Sequence, residues 1–225
     1  MFVYLHGFAS GPLSTKAQHF RRAFGALGLP LEIPALDEGD FEHLTLSGQL
    51  RVVERLLADR PGPHVLLGSS MGGYLAALHA AKHEVAALVL MAPAVDFAAR
   101  WQERLGPDAI AQWREAGSVE VFHHALGRTA PLAFGLYEDA LRHAPWPRVT
   151  APTLVLHGRN DDVVPQARVE RWVGMNPSAT LRLYESGHEL TDCMDALLEE
   201  TLRFLAGIER VARTWPALAA RSSHG

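Results

Sequence analysis

The sequence predicts an α/β fold: a mainly parallel sheet of about six strands, with helices on both faces and a small cap insertion. Three observations carry this. Short apolar runs alternate with helix-period segments almost from the first residue, the pattern of a helix-covered parallel sheet. The runs are continuous rather than alternating, as strands buried on both faces should be. With 225 residues, 48% hydrophobic and 20% charged, the chain has material for one domain with a sizeable core.

Phe2 to Leu5 reads as the first strand, followed by a loop to Ser14, a helix N-cap candidate. Ala17, Phe20, Phe24 and Leu27 then recur at spacings of three and four, a helix with one buried face, stopped by Gly28 and Pro30. Leu31 to Leu36 is a strand weakened by Pro34, and Ser47 is the expected cap of a helix carrying Leu50, Val53 and Leu57. His64 to Leu67, Ala87 to Met91, Thr153 to His157 and Thr180 to Tyr184 complete six strands, and the last helix runs from about Asp192 to Ala206. From about Arg213 the tail is expected to be loosely ordered, since RSSHG offers nothing to bury.

The interval between Met91 and Thr153 breaks the rhythm. Gly106-Pro107 followed by DAIAQWREAG predicts a short helix, with Pro at its first position and Gly117 past its end. Ser118 to Leu126 reads as a small hairpin and Pro131 to His143 as a further helix. The domain therefore spans 1–225 with an insertion at about 96–147, placed to cover a binding site.

Composition excludes several functions. A net charge of −4 leaves no basic footprint for nucleic acid. No apolar run approaches the roughly 20 residues of a membrane span, and MFVYLHGF lacks the marks of a signal peptide. The single cysteine, Cys193, suits a reducing compartment, so the expectation is a cytoplasmic protein.

Chemistry concentrates at Gly68-Ser69-Ser70-Met71-Gly72, which fits Gly-x-Ser-x-Gly between a predicted strand and a predicted helix. At such a turn the residues two before and two after the nucleophile must be small, which selects Ser70 over Ser69. The helix N-terminus beneath it favours developing negative charge. A serine hydroxyl needs a base within reach. Of 12 histidines, His188 in Ser186-Gly187-His188 follows the last strand, on the sheet edge where Ser70 emerges. The loop HGRNDDVVP, from His157 to Pro165, supplies Asp161 and Asp162, either of which completes the order serine, acid, histidine. The Met71 N–H, next after the nucleophile, is one donor to an oxyanion.

The set HGF, GSSMGG, HGRNDDVVP and SGH, in that order over nearly the whole chain, resembles the α/β-hydrolase superfamily. The opening YLHGFASGP is similar to small bacterial YqiA-like esterases and to depalmitoylase-type serine hydrolases. This resemblance implies the α/β-hydrolase fold without the first strands of its larger members. It implies Asp161, the fifth residue of the HGxxDxxVP pattern, as the acid, with Asp162 as the alternative. It also implies Phe8 N–H as the second oxyanion donor, with Gly7 allowing close approach and His6 bracing the loop.

Other features carry less. His79 and His83 are spaced for zinc on a helix, yet no third ligand is evident, so no metal is expected. His123-His124 reads as exposed, Cys193 starts a helix pattern without an elbow, and Asp37-Glu38-Gly39-Asp40 lacks calcium-ligand spacing. Trp101, Trp113 and Trp146 lie in or beside the insertion, as cap packing or as an apolar wall of the substrate pocket. The expected activity is cofactor-free hydrolysis of a small-molecule carboxylic ester or thioester through an acyl-enzyme. The alternatives are C–C bond hydrolysis or acyl transfer on the same triad, and a ligand-binding receptor with negligible turnover.

Overall fold

A computed structural model describes residues 1–219. In chain order the elements are β1 (Phe2–Leu5), α1 (Thr15–Ala26), β2 (Leu31–Glu32), α2 (Leu46–Ala58), β3 (Val65–Ser69), α3 (Met71–Ala80) and β4 (Ala87–Met91). The insertion follows as α4 (Phe97–Leu105), α5 (Pro107–Ala116), β5 (Ser118–His123), β6 (Arg128–Ala133) and α6 (Gly135–Ala140). The core resumes with β7 (Thr153–Gly158), α7 (Gln166–Gly174), β8 (Ala179–Tyr184), a 3₁₀ turn (Thr191–Cys193), α8 (Met194–Ala206), α9 (Glu209–Thr214) and α10 (Pro216–Ala219).

Six strands form one sheet in the order β2-β1-β3-β4-β7-β8, every neighbouring pair parallel. The chain leaves β1 for β2 on one side and returns to β3 on the other. The switch point therefore lies between β1 and β3, the crevice where open α/β sheets bind ligands. Successive strand side chains point to opposite faces. Val3, Leu5, Leu66, Leu88, Leu90 and Val155 join one core with α2, α3, α7 and the insertion. Phe2, Tyr4, Leu67, Val89, Met91 and Leu156 join a second core with α1, α8, α9 and α10. Both faces being covered, β1, β3, β4 and β7 are buried throughout, whereas the edge strands β2 and β8 carry exposed Glu32 and Arg182. Phe20 and Phe24 of α1 are fully buried, each worth about 1.5–3 kcal/mol of transfer free energy.

Several elements differ from the sequence reading, each for a local reason. α2 is capped by Thr45, whose Oγ1 accepts the Gly48 N–H at 2.9 Å, and Ser47 instead faces α6. Ser14 stands at the N-cap of α1 but its side chain makes no capping bond. β2 is only two residues long and lies at the sheet edge, since Pro34 has no N–H to continue a ladder. The hairpin extends further than expected: β5 pairs antiparallel with β6, so Pro131 lies opposite Glu120 in a strand and the helix begins only at Gly135. A two-stranded ribbon is all edge, which is why it tolerates a proline. α4, unforeseen in the sequence, buries Phe97 and Arg100.

The expectation of a loose tail fails as far as the structure reaches. Arg213 lies within α9, α10 follows it, and Trp215 packs on Phe2 with ring centroids 4.3 Å apart. RSSHG itself lies outside the described residues. His123, expected to be exposed, is buried edge-on against Phe41 at 4.4 Å, while His124 is exposed. Among the described residues, no helix is long and apolar enough to cross a membrane.

Candidate active site

Ser70 stands between β3 and α3 with φ 53° and ψ −118°, a conformation that L-residues other than glycine adopt only under constraint. The constraint is visible. Ser70 N–H donates to Met91 O of β4 at 2.9 Å, and Ser70 O accepts from Tyr74 N–H at 3.1 Å and Ala94 N–H at 3.0 Å. The flanking glycines let the backbones close in. A Cβ at Gly68 would stand 2.4 Å from Gly72 O, and one at Gly72 would stand 2.1 Å from Leu5 O. Ser69 is the last residue of β3 and is buried.

His188 lies on the loop after β8, held near Asn160, whose N–H donates to Ser186 O at 3.0 Å. Its Nε2 is 2.9 Å from Ser70 Oγ and its Nδ1 is 2.8 Å from Asp161 Oδ2. The network assigns the tautomer with the proton on Nδ1, donating to the carboxylate and leaving Nε2 to accept from the serine hydroxyl.

The Asp161 side chain is wholly enclosed. Its Oδ1 accepts the Val163 N–H at 2.9 Å and the Val164 N–H at 2.7 Å. Burial alone would raise this carboxyl, but the hydrogen bond and charge of His188, the Val164 N–H and nearby His157 hold it below the ordinary carboxylate value. Asp162 is exposed.

Two residues that the sequence did not mark brace the acid loop. His157, fully buried at the end of β7, donates from Nε2 to Val164 O at 3.1 Å. Arg100 of α4, buried, donates to Val163 O and ties the insertion to the same loop. Burial pushes its guanidinium down to about 10, which leaves it charged at neutral pH. The only sequence signal for Arg100 was its place three residues after Phe97 on one helix face.

The loop after β1 lies against Ser70, since a Cβ on Gly7 would sit 3.5 Å from Ser70 Cβ. Phe8 N–H and Met71 N–H find no protein acceptor among the described residues. Two free amides flanking a serine at a helix N-terminus can receive a negatively charged oxygen. His6 braces this loop: Nδ1–H donates to Gly7 O at 3.0 Å, and Nε2 accepts the Leu36 N–H at 3.4 Å. Burial lowers its basicity, so it stays a neutral strut.

The insertion closes over this edge with an aromatic chain. Phe8 meets Trp101 edge-on at 5.3 Å, and Trp101 meets Phe97 at 5.2 Å and Trp113 at 5.4 Å. Trp113 lies one layer back, buried, with its Nε1–H donating to Leu132 O at 3.0 Å. Trp146 is placed elsewhere, with the Arg171 guanidinium 4.5 Å above its ring. A cavity of about 10 Å³, room for one water, lies among His6, Gly7, Leu36, Phe41, Gln49 and Met71. A larger cavity of about 290 Å³ lies at the opposite edge of the sheet, around Met1, Phe2, Pro30, Arg60 and Trp215. Neither cavity is lined by Ser70, His188 or Asp161, but the smaller one lies beside Met71 and the loop after β1.

The chain is similar in sequence or fold to several known proteins. A family model described as "Uncharacterised protein family (UPF0227)" matches residues 1–205. The mitochondrial palmitoyl-protein thioesterase ABHD10 of Bos taurus is 27% identical over 177 residues, covering 72% of this chain and 57% of that protein. The chain thus corresponds to little more than half of that relative's length. A structure from Agrobacterium vitis S4 aligns with a TM-score of 0.77 at 25% identity, covering 92% of this chain and 87% of that one. The mouse α/β-hydrolase domain-containing protein 10 aligns at 0.75 and 21% identity, covering 89% and 87%.

Proposed function

The chain belongs to the UPF0227 family and has the α/β-hydrolase fold, and on that premise we propose that it is a serine hydrolase of carboxylic esters or thioesters. The observation that carries this reading is the continuous line Ser70 Oγ, His188 Nε2, His188 Nδ1, Asp161 Oδ2, with contacts of 2.9 and 2.8 Å, at the head of α3. The ABHD10 relative, named as a thioesterase, supports thioesters within the class.

The proposed reaction runs in two halves. Ser70 Oγ attacks the carbonyl carbon while its proton passes to His188 Nε2, and Asp161 stabilises the imidazolium. The carbonyl oxygen becomes an oxyanion facing the Phe8 and Met71 amides, each worth about 10²–10³ in rate at such a site. Collapse expels the alcohol or thiol, which takes the proton from His188, leaving an acyl-Ser70 ester. Water, deprotonated by His188, attacks that ester, the acid leaves, and Ser70 recovers its proton. No cofactor takes part. The single cysteine, free and half-buried, is consistent with the reducing compartment in which we place the chain.

A fluorophosphonate probe tests the reading, because an activated serine attacks its phosphorus, expels fluoride and is left phosphonylated. The parent should be labelled and should hydrolyse p-nitrophenyl esters and acyl thioesters over many cycles. Ser70→Ala should lose labelling and lower kcat by roughly 10⁴–10⁶ while staying folded. Labelling that survives Ser70→Ala would refute the assignment of the nucleophile. Labelling without turnover would favour a receptor.

A further inference from the structure

The C-terminal end of α3, opposite Ser70, gathers groups that the hydrolase reading does not use. His79 lies in the last turn of α3 and His83 four residues on, with the two rings stacked at 4.5 Å. Glu54 of α2 approaches from the neighbouring helix, its Oε1 3.6 Å from His83 Nε2. One ligand atom from each of the three lies within 4.8 Å of the other two. His79 is buried, and its Nδ1 has no hydrogen-bond partner. A polar ring atom so placed costs stability unless something engages the ring. The His83 and Glu54 side chains are about half exposed.

We infer that Glu54, His79 and His83 form a binding site for one divalent transition-metal ion of the zinc type. Two imidazoles and a carboxylate are a borderline donor set that zinc accepts, with water completing a tetrahedron, and that the hard ions magnesium and calcium do not favour. Bonds of about 2.0–2.1 Å require ligand atoms about 3.4 Å apart. Rotation of the two exposed side chains toward fixed, buried His79 closes the remaining gap. The rise along α3 puts His79 about 13 Å from Ser70, so the metal touches neither the nucleophile nor the oxyanion amides. It staples α2 to α3 instead, and a cation at this end of α3 also complements the helix dipole. The third ligand escapes a sequence reading because Glu54 lies on a different helix from the histidine pair.

Titration of the full chain with zinc chloride at neutral pH, followed by calorimetry, tests the site. The parent should bind saturably, with magnesium inert under the same conditions. His83→Ala and Glu54→Gln, both at exposed positions, should fold normally and either lose one equivalent of zinc or bind it at least about tenfold more weakly. At a hundredfold excess over the parent's Kd, zinc should raise the parent's Tm by roughly 5–10 °C and shift both variants by at most about half as much. Cobalt should give a visible d–d band in the parent that both variants lack. No saturable binding by the parent, or parent-like stoichiometry and affinity in either variant, would overturn the site. Ester hydrolysis by both variants should match the parent, which separates failure here from failure of the hydrolase reading.

Discussion

Asp161 and Asp162 leave β7 side by side into opposite environments, one enclosed beneath His188 and the other exposed. A buried carboxylate survives only if its lone pairs are engaged, and two backbone N–H groups plus an imidazole engage those of Asp161. That engagement keeps it ionised, as an acceptor that fixes the His188 tautomer must be. Asp161→Asn should therefore lower kcat by about 10⁴ with folding preserved. Asp162→Asn should stay within a few-fold of the parent. Steady-state kinetics on one activated ester decides, and a collapse confined to Asp162→Asn would move the acid role to its neighbour. From the sequence, order and spacing left both aspartates open, and a family pattern alone ranked them. The Val163 and Val164 N–H contacts of Asp161 are local, but its aim is completed by His188, 27 residues on, which local sequence does not encode.

The legibility of each element follows from what forms it. The strands and α1 were readable because periodicity and burial agree there, as at Phe20 and Phe24. The elbow was readable because sterics demand small residues at Gly68 and Gly72. Within the insertion α5 was readable from Pro107 and Gly117, which bound it, whereas α4 and the junction of β6 with α6 were not, because contacts from outside fix them. The Asp139 carboxylate of α6 accepts the Ser47 N–H and hydroxyl of α2, both at 2.7 Å, with His143 Nε2 3.0 Å from Ser47 Oγ. Burial alone would raise the Asp139 carboxyl, but the two bonds from Ser47 and the His143 charge hold it below its ordinary value. A carboxyl depressed in the folded state contributes stability that is present above the unfolded pKa, near 3.9, and is lost as pH falls through the folded value. Asp139→Asn should therefore cost about 1–3 kcal/mol near neutrality. The gap to the parent should narrow below about pH 4, as the parent's own carboxyl protonates. Urea unfolding at several pH values measures this, and a gap independent of pH would mean that Asp139 acts through shape rather than charge.

At the scale of the whole molecule, the insertion spans from the acid loop after β7 to the loop after β1 and to α2, as a roof. Arg100 ties it to the acid loop, Trp101 lays it on the Phe8 ring, and Asp139 pins it to α2. On the proposed reaction, an acyl chain leaving the carbonyl at Ser70 should meet that roof at Phe8 and Trp101. Each methylene removed from water there is worth about 0.8 kcal/mol, nearly fourfold in affinity. On the proposed reaction, kcat/KM for p-nitrophenyl esters should climb over the first several carbons. It should fall once the apolar wall is exhausted, because the cavity beside the oxyanion loop holds about 10 Å³ and the roof is closely packed behind Trp101. The optimum should therefore lie at short to medium chains. Trp101→Ala should flatten the rise while sparing acetyl esters, since it removes wall without touching the triad. Trp113→Ala should act mainly on stability: the indole is buried and bonded to Leu132, and aromatic truncations in a core cost about 3–5 kcal/mol. Kinetics across graded acyl lengths, paired with thermal melts of both variants, separates wall from support. A profile flat with chain length in the parent would mean that the roof shapes the leaving-group side of the substrate instead.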